Sequence, residues 1–110
     1  MKQYQIDQIR LEDYPKIQEH METKYGPAEL GSLYWIPLPE NLYDDVQSKH
    51  LSCHPLYFVI ELQESCFTCE FLIRNRNKIK CDCIKYAYGK QRDYLLTFTD
   101  RIFETLEIIT

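Results

Sequence analysis

The chain has 110 residues, 45% of them hydrophobic, which is enough for one domain with its own core, too little for two, and not the composition of a disordered chain. Its net charge of −4 argues against a dedicated nucleic-acid binder. Its three glycines, Gly26, Gly31 and Gly89, have the spacing of neither a dinucleotide fingerprint nor a phosphate loop.

Met1-Lys2 leads into polar Gln3, Gln5 and Asp7 rather than into the apolar segment of a signal peptide. No apolar run approaches the ~18–20 residues of a membrane span. A cytoplasmic protein with no membrane contact is expected. Residues 4–10 predict a short first strand. Leu11 to Pro15 opens a helix, with Asp13 placed to cap free N–H groups and Pro15 tolerated in a first turn because no donor is needed there. Tyr14, Ile17, Met21 and Tyr25 then form one helical face, so a helix is expected over about 13–25, ended by Gly26-Pro27.

Leu33 to Ile36 is a short apolar run stopped by Pro37, the pattern of an edge strand. A second helix is expected over about 40–49, with Leu42, Tyr43 and Val46 inward, and Ser52 to Pro55 reads as a loop. Leu56, Phe58, Ile60 and Leu62 alternate onto one face of a strand. Segments 67–74 and 79–87 follow, separated by Asn75-Arg76-Asn77, and predict a three-strand antiparallel meander over about 56–87. Leu95, Phe98, Ile102, Leu106 and Ile109 predict a long C-terminal helix over about 91–109. The expected fold is α+β, a two-layer sandwich in a single domain, 1–110. Its antiparallel sheet contains the meander and the N-terminal strand, and its helices pack mainly on one face.

Five cysteines are an odd number, and in a reducing compartment they favour thiols or thiolate–metal bonds over disulfides. His50-x2-Cys53 followed by Cys66-x2-Cys69 has zinc-ribbon spacing. However, the strand between the halves holds their ends roughly 23 Å apart. In the expected hairpin register Cys69 faces Cys83 and Phe71 faces Cys81, on the same face as Ile73 and Ile79. Buried thiols in the core are the main reading of these residues. A structural zinc at Cys66, Cys69 and Cys83, with a fourth ligand unassigned, is the metal alternative. A thiol enzyme on the His50, Cys53 and His54 loop is a third reading, although the adjacent side chains of Cys53 and His54 point apart in extended chain.

Charge is unevenly distributed. Between residues 74 and 92, Arg74, Arg76, Lys78, Lys80, Lys85, Lys90 and Arg92 are opposed only by Asp82, and the rest of the chain is acidic. Solvation and protection of a sheet edge account for such a stretch. The functional candidates are docking of an acidic partner or anion by Arg74, Arg76, Lys78, Lys80, Lys90 and Arg92, with nucleic acid disfavoured. Tyr34, Trp35 and Ile36 form an apolar patch with two aromatic rings, suited to a protein partner or a homodimer. No nucleophile or acid–base constellation stands out. The sequence therefore favours a small non-catalytic interaction or accessory protein.

Overall fold

The computed structural model describes residues 2–76 and 81–110. Strands β1 (Gln3–Ile6), β2 (Leu33–Pro37), β3 (Leu56–Gln63), β4 (Cys66–Glu70) and β5 (Arg74–Asn75) form one antiparallel sheet. The helices are α1 (Tyr14–Tyr25), the short α2 (Asp45–Lys49) and α3 (Gly89–Thr105). The sheet runs β1-β4-β3-β2, and β5 adds to β3. This is the α+β architecture expected from the sequence.

Strand alternation builds the core. Tyr34 and Ile36 of β2 register with Ile60 and Phe58 of β3. Ile60 and Leu62 register in turn with Cys69 and Phe67 of β4. All of these side chains are buried, so they lie on one face. α3 covers that face: Phe103 meets Phe67 edge to face at 5.4 Å, and Thr99 Oγ1 lies 3.2 Å from Cys69 Sγ. Ile17 and Met21 of α1, both fully buried, join the same core. On the outer face Trp35 and Tyr57 pack edge to face at 5.6 Å. The Arg76 guanidinium lies over both rings, 4.4 Å from the Trp35 centroid, and pairs with Glu29.

Local details refine the expected elements. Asp13 does sit at the start of α1, but its carboxylate binds Arg10 (2.8 Å) and Lys16 (3.2 Å) rather than capping the helix. At the other end Gly26 adopts φ +82°, a left-handed backbone that favours glycine. The segment expected as one helix over 40–49 is a 3₁₀ turn, Glu40–Leu42, then α2, because Tyr43 and Asp44 are extended. α2 begins with a reciprocal capping box: Asp44 Oδ1 accepts from the Gln47 N–H, and Gln47 Oε1 accepts from the Asp44 N–H.

The largest difference lies after β4. Pairing with β3 is interrupted at residues 70–73 and resumes in β5, where Leu56 registers with Asn75. Residues 81–84 form a turn in which the Ile84 N–H donates to the Cys81 carbonyl. Extended pairing returns only around the Leu72–Tyr86 bridge. The register that would set Cys69 opposite Cys83 is therefore replaced by one that sets Leu72 opposite Tyr86. Lys78, Ile79 and Lys80 lie outside the described residues.

Candidate metal centre

Two tight turns converge at the end of the sheet where β3 begins. The first follows α2. Residues Leu51–Cys53 form a 3₁₀ turn in which the Cys53 N–H donates to the His50 carbonyl at 2.9 Å. Residues three apart eclipse in such a turn, so His50 and Cys53 project to the same side. The second is the Cys81–Ile84 turn, which presents Cys81 and Cys83.

His50 Nδ1 lies 3.0 Å from Cys81 Sγ, and Cys53 Sγ lies 3.3 Å from Cys81 Sγ. One donor atom from each of His50, Cys53, Cys81 and Cys83 lies within 4.8 Å of all the others. A tetrahedral zinc, with sulfur at about 2.3 Å and nitrogen at about 2.0 Å, sets its donors roughly 3.5–3.8 Å apart. The four atoms bracket that spacing. Cys53 and Cys83 are buried, whereas His50 and Cys81 are half-exposed.

A hydrogen-bond network fixes the two turns to each other. Gln47 Nε2 donates to the Cys83 carbonyl at 3.2 Å. Gln47 Oε1 accepts from Gln91 Nε2 at 2.8 Å, and Gln91 Nε2 also donates to the Leu42 carbonyl. Both glutamines are fully buried, so unpaired amides there would be costly. Lys85, two residues past Cys83, forms an ion pair with Asp44 at the start of α2. The thiols differ electrostatically. Hydrogen bonds from the Cys83 backbone and thiol, then from His50 and Cys53, lower Cys81 to about 6. Burial pushes Cys83 up to about 12. The donors around Cys81 favour its thiolate, the form in which a cysteine ligates a metal ion.

Of the sites expected from sequence, Cys83 joins this cluster and Cys66 and Cys69 do not. Cys66 Sγ contacts Thr68 Oγ1 at 3.4 Å, at the opposite end of β3. Cys69 is buried against Thr99, and burial pushes it up to about 12. Cys66, Cys69 and Cys83 are thus not gathered, because the 81–84 turn carries Cys83 away from β4. The reading of cysteines as core thiols fits Cys69. His54 turns away from Cys53: its Nε2 lies 2.6 Å from the Gln47 carbonyl, and its ring packs on Tyr43. His50, Cys53 and His54 therefore do not converge as a nucleophile pair with its orienting group.

Tyr34 and Ile36, expected at an interface, instead fill the core, and only Trp35 reaches the outer face. Among the basic residues, Arg74 pairs with Glu70 and Arg76 with Glu29. Lys90 and Arg92 have no ion-pair partner among the described residues. Sequence reasoning missed Cys81 as a partner of His50 and Cys53, and it missed both glutamines. Both halves of the cluster, His50-x2-Cys53 and Cys81-x-Cys83, stand in the sequence. Nothing in their spacing says that they meet.

No family model matches the chain, and no curated protein or solved structure is similar to it. Among the described residues, no helix is long and apolar enough to cross a membrane.

Proposed function

We propose that this is a small non-catalytic accessory protein whose fold is completed by a structural zinc ion bound to His50, Cys53, Cys81 and Cys83. The observation that carries the reading is the convergence of the four donor atoms within 4.8 Å. Three sulfurs and one imidazole nitrogen suit zinc better than the hard, oxygen-seeking cations. With protein atoms at all four corners, no position is left for a substrate or an activated water, so the site is structural rather than catalytic. Its role is to clamp the α2 turn to the chain entering α3.

The test is the metal content of the full chain, produced with zinc supplied and purified without chelator. About one zinc per chain is expected, falling in Cys53→Ser and Cys81→Ser, whereas Cys66→Ser keeps its zinc. Less than about a tenth of an equivalent in the unsubstituted protein overturns the reading.

Docking of an acidic partner through residues 74–92 is a second reading, and Lys90 and Arg92, which have no ion-pair partner among the described residues, favour it. Internal pairing of Arg74, Arg76 and Lys85 weakens it. The Lys90→Glu/Arg92→Glu variant is expected to abolish salt-sensitive retention on an anionic resin; retention equal to that of the unsubstituted chain would exclude this reading.

A further inference from the structure

Away from the metal ligands, a groove of about 790 Å³ runs between the end of α1, the 39–42 segment and α3. That volume is within the range of small-molecule sites. Lys90, Tyr94, Phe98 and Arg101 recur at helical spacing, so one stripe of α3 lines it. The stripe has aromatic rings in the middle and a cation at each end. The Tyr94 and Phe98 rings lie 6.3 Å apart and 30° from parallel, and Tyr25 of α1 closes on Phe98 at 6.0 Å. All three rings are only partly buried, and each leaves part of its surface to solvent.

The charge in the groove is one-sided. Lys24, Lys90 and Arg101 line it, against Asp93 as its one acidic lining residue. None of these three cations has an ion-pair partner among the described residues, although the chain as a whole is acidic. Lys90 sits in the opening turn of α3, which contains no acidic residue. A lysine there adds to the positive end of the helix dipole instead of offsetting it. The groove wall is also fixed in place. The Leu42 carbonyl accepts from Tyr88 Oη at 3.2 Å and from Gln91 Nε2 at 2.9 Å, which ties the 39–42 segment to α3. A preformed wall spares a ligand the cost of ordering it.

We propose that this groove binds a small planar aromatic anion, its ring against Tyr94 and Phe98 and its anionic group at Lys90. Lys90 and Tyr94 are four residues apart, so charge and ring are separated by about 6 Å along the helix. This spacing fits a nucleoside monophosphate or an aromatic carboxylate. The shared chemistry is a flat π-face for stacking and an anion for the lysine. The assignment is independent of the metal, because no ligand of the Cys81 cluster lines the groove.

The test is calorimetric titration of the full chain, as purified, with AMP, indole-3-acetate, adenosine and inorganic phosphate. AMP or indole-3-acetate is expected to bind saturably with Kd below about 1 mM. Whichever of the two binds identifies the anion as phosphate or carboxylate. Adenosine and inorganic phosphate are each expected to bind at least about tenfold more weakly, since each lacks one half of the recognition. Lys90→Glu, at an exposed position, is expected to weaken binding at least about tenfold with the melting temperature unchanged or slightly raised, since an acidic side chain suits the opening turn of α3. Tyr94→Phe retains the ring and is expected to retain the affinity. The proposal is overturned if neither aromatic anion binds, if AMP binds but adenosine binds as tightly, or if Lys90→Glu leaves binding of the aromatic anion unchanged.

Discussion

Cys53 Sγ and Cys81 Sγ lie 3.3 Å apart, although 28 residues separate them in sequence. Cys81 is half-exposed and Cys53 is buried, so an oxidant reaches the pair through Cys81. Hydrogen peroxide is expected to join them: two thiols give one disulfide as the peroxide is reduced to two waters. Peptide mapping after mild peroxide treatment should find Cys53 linked to Cys81, with Cys69 still reduced. Loss of bound zinc in step with that link is the accompanying signal. A product oxidised first at Cys69 would contradict this order.

Gln47 is a joint between the two turns. It accepts from the Asp44 and Gln91 N–H groups and donates to the Cys83 carbonyl. Gln47→Leu keeps the approximate volume but leaves the Cys83 carbonyl without this donor and removes an acceptor of Gln91. A loss of about 2–4 kcal/mol is expected, measured by denaturant unfolding. Gln47→Glu keeps the acceptor but not the donor to Cys83, so it also destabilises. A variant as stable as the parent would show that the network contributes little.

Cys69 separates packing from ligation. Its thiol is fully buried and lies 3.2 Å from Thr99 Oγ1. Cys69→Ala should cost about 1–2 kcal/mol as lost core contact, with zinc content unchanged. Cys83→Ala should lower both stability and zinc content. Equal effects of the two substitutions on metal content would not fit the cluster as described.

Asp13 links stability to pH. The hydrogen bond from Arg10, reinforced by Lys16, holds its carboxyl below the ordinary carboxylate range despite the opposing effect of burial. A depressed folded-state pKa contributes stability that is fully present above the unfolded value of about 4 and is lost as pH falls through the folded value. Asp13→Asn should lower the melting temperature at neutral pH and flatten its decline at acid pH. Melts recorded across the acid range check the difference in slope.

The strand of residues 56–62 and the helix beginning near residue 91 were legible because each signal is local and repeated. Alternation from Leu56 to Leu62 permits one burial pattern, and the stripe from Leu95 to Ile102 permits one buried helix face. The chain around Cys81 was not legible, since alternating Cys81 and Cys83 also satisfy the pattern of a strand. What decides between strand and turn is tertiary: the Gln47 amide on the Cys83 carbonyl and the pair between Lys85 and Asp44. The geometric objection to joining His50 and Cys53 with Cys66 and Cys69 is correct in this fold, because Cys66 lies at the far end of β3. The partner of His50 and Cys53 was instead a turn hidden in a segment expected to be extended.

The ligand spacing along the chain has a consequence for how the molecule would respond to its surroundings. From Cys53 to Cys81 the chain contains β3, β4 and β5, so an ion coordinated as proposed would close a loop around the centre of the sheet. Like a covalent staple, such a closure acts on the unfolded chain, which loses the freedom to separate those ends. Unlike a staple, it would depend on free metal concentration: each tenfold rise above the dissociation constant would add about 1.4 kcal/mol to the folded state. The amount of intact protein in a cell would then follow zinc supply by mass action alone, without a separate sensor.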